Sequence, residues 1–399
     1  MVETITLVII LFWLPQAIYQ VLNWTYWWQV KEYRFDRFLV FLQTKDGKEK
    51  LDLIPIFLKH ISLILAIFYP LFIWLSLFLF ALMDFKLISA ILGKSIRKPI
   101  VTERIKKILV TSLLGIILAF LVYRYLYNIA SSLFLGEVLL LISPLIGILW
   151  TIPIVSKIKK EEIEKAQKVL KKIKPTVIGI TGSYGKTTTK EFVAHLLSQK
   201  YETAKTEGSE NTEFGIARKT YINVKNGTKF FVVEMGAYKI GEIKRLADIV
   251  HPQIGIITGI EEQHLSLFGS LENIKKAKFE LIESLPKRGI AIFNVTNNHI
   301  EKLLQRAKKL RKDLKIYGYY VVNGKGVSKN ADLRARVVSA DREGITFEVT
   351  DGKERRRFVA PLPGVHFIEN LTGAILVARI FGLSWREIEK GVSTLKASE

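Results

Sequence analysis

Residues 177–192, VIGITGSYGKTTTKEF, decide how the second half of this chain is read. VIGIT is an apolar run short enough for a buried strand, GSYG is a glycine turn, and KTTTKEF opens a helix. Gly182 and Gly185 let the backbone wrap closely around phosphate oxygens, while the N–H groups of the helix N-terminus point at them. Lys186 supplies a cation for β- and γ-phosphates, and Thr187 or Thr188 a hydroxyl for phosphate and Mg²⁺; Ser183, between the glycines, joins this phosphate-binding set. A common nucleotide loop keeps four residues between its first glycine and the Gly-Lys pair, whereas two lie between Gly182 and Gly185. A turn made only for its shape has no use for a lysine followed by three threonines.

Downstream the same rhythm continues. FFVVEM (230–235), IGIIT (254–258) and AIFNV (291–295) are further apolar runs separated by amphipathic stretches of helical period. Continuous apolar strands alternating with helices predict a mostly parallel sheet covered on both faces, an α/β P-loop domain over 176–399. LRARVVSA, GITFEVT and RRFVAPL predict a small antiparallel excursion near the end, with helices from Phe367 and from Ser384 closing the domain.

The first half is different. The chain has 399 residues, 49% of them hydrophobic, and the apolar ones concentrate before position 155. Stretches at 3–22, 61–83, 107–127 and 132–155 each reach the roughly 20 residues a bilayer crossing needs, so 1–155 is expected to be a multi-pass α-helical membrane segment. Trp24, Tyr26, Trp27 and Trp28 follow the first stretch, where interfacial aromatics anchor a helix. Lys and Arg crowd both 29–60 and 84–106, although one crossing separates them; Pro70, in the middle of 61–83, would reconcile the two by making a re-entrant hairpin. The run 156–174 is expected to be a charged helical linker, a solvated spacer ended by Pro175. The net charge of +22 is assigned to anionic lipid and phosphorylated substrates, since no nucleic-acid motif accompanies it. Cysteine is absent, which excludes disulfides and thiolate chemistry.

TGSYGKTTTKE closely resembles the nucleotide loop of the Mur ligases, and within them the MurF branch. The likeness continues in order through TEGSENTEFGIA (206–217), VVEMGAYKIGEI (232–243), ITGIEEQHLSLFGSLENIKKAKFEL (257–281) and PGVHFIENLTGA (363–374). The resemblance implies that Asn211 faces the phosphates and metal, that Glu234 is a Mg²⁺ ligand, that His264 and Lys278 stand at the metal site, and that Asn370 contacts the adenine side of ATP. It further implies that Lys278 is carbamylated by CO₂, and that Lys186, His264 and Lys278 serve catalysis. Plainer readings stay open beside these. Glu234 ends an apolar strand and needs solvent, a partner or a metal; His264 can be a packed histidine; Lys278 sits in the charged run KKAK; Asn370 can cap a helix.

The implied activity is an ATP-dependent amide ligase of peptidoglycan-precursor synthesis at the cytoplasmic (inner) membrane, with the catalytic domain on the cytoplasmic side. A substrate carboxylate would form an acyl phosphate that an amino-acid or dipeptide amine attacks, so no nucleophilic side chain is needed. Expected partners are a UDP-linked or lipid-linked muramoyl peptide, an amino acid or dipeptide, membrane lipids and a separate C-terminal ligase domain. A Mur-like ligase for another acidic polymer, such as poly-γ-glutamate or capsule, and a non-catalytic ATP-binding membrane scaffold are the alternatives. The sequence departs from the family in three ways. Membrane helices replace the soluble UDP-binding domain; Ala217, Gly259 and Phe367 replace residues usually Pro, Asn and Asn; and the chain stops at GVSTLKASE, before the family's arginine and third domain, with truncation the favoured explanation.

Overall fold

In this computed structural model, residues 2–51, 53–126, 129–208, 211–262, 265–322 and 330–395 are described, and the chain divides into two compact units, Met1–Ile158 and Lys159–Glu399. The second unit is built on nine strands: β1 Thr176–Thr181, β2 Thr203–Lys205, β3 Phe230–Glu234, β4 Ile254–Ile257, β5 Ile290–Asn294, β6 Lys315–Val321, β7 Leu333–Ala340, β8 Ile345–Thr350 and β9 Arg355–Ala360. They form one sheet in the order β2-β3-β1-β4-β5-β6-β7-β8-β9. Pairing is parallel from β2 through β7 and antiparallel for the last two pairs. The expected antiparallel excursion is therefore an extension of the main sheet, docked on it by the parallel pair β6–β7.

Alternation along the strands explains why both faces are covered. Ile178, Ile180, Val232, Ile256 and Ile292 point to one side, where the helices Lys186–Leu197, Phe367–Ile380 and Trp385–Ser393 pack. Val177, Phe231, Val233, Ile257 and Phe293 point to the other, under the helices Glu242–Val250, Leu271–Glu283 and Asn298–Leu310. Each such side chain contributes about 1.5–3 kcal/mol by leaving water, so two apolar layers hold the sheet between helices. The carboxyl ends of β1, β3 and β4 consequently open on one edge, where an α/β sheet leaves a crevice for ligands.

Two expectations about the run 132–174 are corrected. It is one helix, Ile129–Ile173, which ends at Lys174 (φ 51°) before Pro175. From Lys159 onward it is not a solvated spacer: Ile163, Val169, Leu170 and Ile173 pack on the second layer and Ala166 is fully buried. Ile163, Ala166, Leu170 and Ile173 recur at helical period, so one face is apolar while the lysines occupy the others. Tyr221 donates a 2.6 Å hydrogen bond to Glu162, and Lys159 pairs with Glu213.

The first unit contains the helices Val2–Val30, Phe35–Gln43, Lys45–Lys50, Leu53–Phe68, Ile73–Leu92 and Glu103–Leu126, with the beginning of Ile129–Ile173. The stretch 61–83 is not one helix. Its helix stops at Phe68, Tyr69 is extended, and Pro70 starts the short turn Pro70–Phe72 before the next helix. Proline lacks the N–H and clashes with the preceding turn, so the chain folds back there. Ser76 and Ser62 meet at 3.0 Å across the hairpin. By length and composition, two described helices are apolar enough to cross a membrane, Pro70–Leu92 and Ala130–Ile173. Ile54–Phe68 is shorter; Val2–Val30 interleaves Gln16, Gln20 and Asn23 with its apolar residues, and Glu103–Leu126 opens on a charged turn.

The two basic loops come together at one end of this unit. Gln29 exchanges two hydrogen bonds with the backbone of Ile100, at 2.9 and 2.7 Å, and Arg97 and Arg104 lie over the rings of Trp27 and Tyr33. Its interior holds apolar clusters around Trp13, Leu63 and Phe80 and around Trp24, Phe38 and Phe41, with charged and polar groups among them. Lys59 and Glu137, both fully buried, pair at 2.6 Å, Trp13 Nε1 donates to Glu137 at 2.8 Å, and Gln16 donates to Asp84 at 2.7 Å. Large apolar residues such as Leu11, Leu71, Phe85 and Leu118 face outward instead.

Candidate active site

At the end of β1 the chain makes the turn Gly182–Gly185 and enters the helix beginning at Lys186. Gly185 caps that helix with φ 75°, a conformation that costs an L side chain, and a Cβ there would lie 2.4 Å from Asn370 Oδ1. A Cβ on Gly182 would lie 2.2 Å from Thr258 Oγ1. Both glycines are therefore demanded by close approach as well as by backbone shape. The turn is tied to the end of β4: Ser183 N–H donates to Gly259 O at 2.7 Å, and Thr258 Oγ1 donates to Tyr184 O at 2.5 Å.

Behind the turn stands Glu234, the last residue of β3 and almost completely buried. Thr187 donates to its Oε2 at 2.8 Å. Lys190, one helical turn after Lys186, is fully buried and lies 3.8 Å from the same oxygen, while its ammonium donates to Gly208 O at 2.5 Å. Of the two threonines left open by the sequence, it is Thr187 that reaches Glu234; Thr188 makes no side-chain hydrogen bond among the described residues, and the structure does not bring it to that carboxylate. Lys190 was not foreseen, although its position four residues after Lys186 in a helix is the signal that placed it on the same side.

Lys186 and Lys278 line one small cavity of about 40 Å³ with Gly182, Ser183, Asn211 and Gly236. Burial holds the Lys186 ammonium below its usual range, and Glu234 opposes that shift. Burial and the neighbouring Lys186 charge lower Lys278 to about 7, against the opposing pull of Glu242 and Glu280. Lys278 is thus not the solvated charge that the run KKAK allowed. Lys276 faces solvent, but Lys278 turns inward on the same helix, its Nζ 5.8 Å from the centre of the Phe268 ring. Asn211 packs against Gly236, whose missing side chain makes the room: a Cβ there would lie 2.4 Å from the Asn211 amide. His264 lies outside the described residues.

Asn370 caps nothing, since its helix starts at Phe367. Its Oδ1 accepts from Thr189 at 3.1 Å and abuts Gly185, so the amide braces the loop from the neighbouring helix. Gly259 has a local reason: the Tyr184 ring lies over it, 2.3 Å from where a Cβ would be, and Asn297 donates to the Tyr184 hydroxyl at 3.3 Å. Phe367 packs beside Phe192, and Ala217 is fully buried. Tyr184 and Asn297 thus belong to the site's wall and were not foreseen.

The residues fit a nucleotide phosphate. The glycine cradle leaves space that any Cβ would fill, and the partly buried Lys186 ammonium faces the cavity beside it, a charge that a phosphate would offset. Among the described residues no three His, Asp or Glu side chains gather about one point. That suits Mg²⁺, which keeps several waters and takes one or two carboxylates plus substrate phosphates; Glu234 and Thr187 are the groups that would hold it.

A family model described as the Mur ligase middle domain matches residues 180–378. The chain is similar to the UDP-N-acetylmuramoyl-tripeptide–D-alanyl-D-alanine ligase of Bacillus subtilis (strain 168), 34% identical over 233 residues, 58% of this chain and 47% of the relative. The enzyme of that name from Escherichia coli (strain K12) is 30% identical over 237 residues, covering 59% and 50%. Among solved structures, MurF from Acinetobacter baumannii superposes with a TM-score of 0.54 at 25% identity, covering 60% of this chain and 51% of that one. MurF ligase from Thermotoga maritima in complex with ADP, 23% identical with a TM-score of 0.51, shares the fold over 60% of this chain and 53% of its own. The chain spans about half the length of the curated relatives it matches.

Proposed function

Residues 180–378 belong to the Mur ligase family as its middle domain, and on that premise we propose that the chain binds Mg²⁺-ATP and drives amide-bond formation in peptidoglycan-precursor synthesis at the cytoplasmic membrane. The observation that carries this reading is the convergence of Lys186, Lys278 and the Gly182–Gly185 cradle on one cavity, beside a Glu234 carboxylate held by Thr187. The substrates are an acidic muramoyl tripeptide, UDP-linked or lipid-linked, and a dipeptide amine of the D-alanyl-D-alanine kind. The membrane placement is supported by the first unit, which turns many large apolar side chains outward while Lys59, Glu137, Asp84 and Gln16 are inside.

The substrate carboxylate oxygen attacks the γ-phosphorus, a P–O bond forms, and ADP leaves with the electron pair of the broken bond. The incoming amine nitrogen then attacks the acyl carbon; inorganic phosphate departs and the nitrogen loses its proton. Both steps gather negative charge on phosphoryl and acyl oxygens. Lys186 and the N–H groups at the start of its helix are aimed at that charge before it forms, which makes their stabilisation effective. Lys190 keeps Glu234 in place by pairing with it from beneath. Bound Mg²⁺ would supply further charge neutralisation at the phosphates.

Lys278 has a second role in this reading. With its amine lowered to about 7, a large share is neutral near neutral pH, and a neutral amine can add to CO₂, forming an N–C bond and releasing a proton. The resulting carbamate is an anionic oxygen ligand where an unmodified lysine would repel a cation.

Phosphate release by the full chain should require a muramoyl tripeptide together with D-alanyl-D-alanine. Lys278→Ala should lose most of it, and short carboxylic acids should restore part by occupying the vacated anionic position. The same acids should do nothing for Lys186→Ala, whose defect is a missing cation. Phosphate release indifferent to both substrates contradicts the ligase reading; equal rescue of both variants contradicts the carbamate.

A further inference from the structure

The first unit contains a cavity of about 110 Å³ that the ligase reading does not use. Gln16, Tyr19, Gln20, Asn23 and Trp24 of the helix Val2–Val30 line it, and Lys86 of the helix Ile73–Leu92 stands among the lining residues. Gln16, Gln20 and Asn23 recur at spacings of four and three, so they share one helix face, and that face is turned inward. Gln16 spends its amide on Asp84. Gln20 does not: it is 4% exposed, and neither its Nε2 nor its Oε1 has a hydrogen-bond partner. A buried carboxamide left so is costly, and one that lines a cavity points to a ligand there.

Three features fix the ligand's chemistry. Lys86 gives the lining a cation and no carboxylate is among the lining residues, Asp84 being held by Gln16, so a metal ion is disfavoured and an anion favoured. Gln20 offers both a donor and an acceptor, so the ligand carries oxyanion acceptors together with hydroxyl donors. The cavity also lies at the end of the unit that gathers Trp24, Trp27 and Trp28 and the two basic loops joined through Gln29 and Ile100. Aromatic belts and basic flanks mark the level of lipid head groups. The volume is several times what one water needs.

We propose that this cavity binds the phosphate-bearing head of an anionic membrane lipid, with Lys86 meeting the phosphate and Gln20 bonding its phosphate and hydroxyl oxygens. The proposal rests on the first unit being embedded in a membrane, and is independent of what the α/β unit catalyses.

Flotation of the full chain with lipid vesicles comes first, because a chain that stays soluble without detergent overturns the membrane reading and the proposal with it. The purified chain in a neutral detergent is then titrated with dioctanoyl phosphatidylglycerol, following the fluorescence that Trp24→Phe removes. Saturable binding is expected, with dioctanoylglycerol, which lacks the phosphate, weaker by about tenfold or more. Gln20→Leu and Lys86→Gln should each weaken the phospholipid by about tenfold while the helical circular dichroism is kept. Lys86 is exposed, so its variant reports binding even if Gln20→Leu fails to fold. Competition by inorganic phosphate at equal strength would assign the cavity to the free ion and overturn the lipid. So would equal binding of dioctanoylglycerol, or phospholipid binding unchanged in Lys86→Gln.

Discussion

The two units of this chain solve opposite problems with the same side chains. In Lys159–Glu399, isoleucine, valine and phenylalanine fill two layers either side of a sheet, and most lysines lie at the surface. In Met1–Ile158, many leucines and phenylalanines face out, and Lys59, Glu137, Asp84, Gln16 and Gln20 are inside beside the apolar clusters. Water makes the first arrangement favourable. In water the second would expose large apolar patches and bury charges at several kcal/mol each, offset only by pairing. In hydrocarbon it is reasonable, because outward leucine costs nothing there and inward polar groups find one another. What separates the units structurally is how much large apolar surface the first also turns outward.

That contrast can be broken by placing one charge on each surface. Phe78 and Val359 are about equally exposed, at 63% and 61%. Phe78→Lys, near the middle of Pro70–Leu92, should cost about 2.5–3.5 kcal/mol of insertion into the bilayer, read as a loss of alkali-resistant chain from membranes. Val359→Lys, on the outer strand β9, should change stability by no more than about 0.5 kcal/mol. Equal effects at the two positions would end the distinction.

How far the sequence could be read also differs between the units. The strand, turn and helix of 177–192 were legible because the glycines and lysine have few other uses at that spacing. β2 was missed because three residues carry no pattern, and β6, KIYGYYV, because a glycine and tyrosines dilute its apolar signal. The hairpin at Pro70 was visible as an alternative, but composition could not choose between bending and crossing. In the site, local sequence could not give helix phase: the inward turn of Lys278, the reach of Thr187 in place of Thr188, and the pairing of Lys190 with Glu234 all depend on which way a helix faces the sheet. Tyr184 over Gly259 is a contact across 75 residues of chain, and no local pattern encodes it.

A smaller effect sharpens the contrast from the other side, since Lys278, like Lys190, is buried in a unit whose lysines mostly lie at the surface. Its folded value of about 7 lies below the usual 10.5, so between those values the unfolded chain holds more protons than the folded one. Stability should then rise as pH increases through that window and fall as pH drops toward about 7. Thermal midpoints of the nucleotide-free chain in Mg²⁺-free, CO₂-free buffer should show the slope, and Lys278→Met should flatten it. An identical slope in the variant would place the titration elsewhere.

The central claim is that the Gly182–Gly185 turn and Lys186 hold the phosphates of Mg²⁺-ATP. Calorimetric titration of the full chain in detergent with ATP, with and without Mg²⁺, tests it most directly. The account predicts Mg²⁺-dependent binding that Lys186→Ala weakens by about two orders of magnitude, the loss of a charge-assisted contact of about 1.5–3 kcal/mol and the neighbours it orients. An ATP affinity unchanged in Lys186→Ala would contradict it.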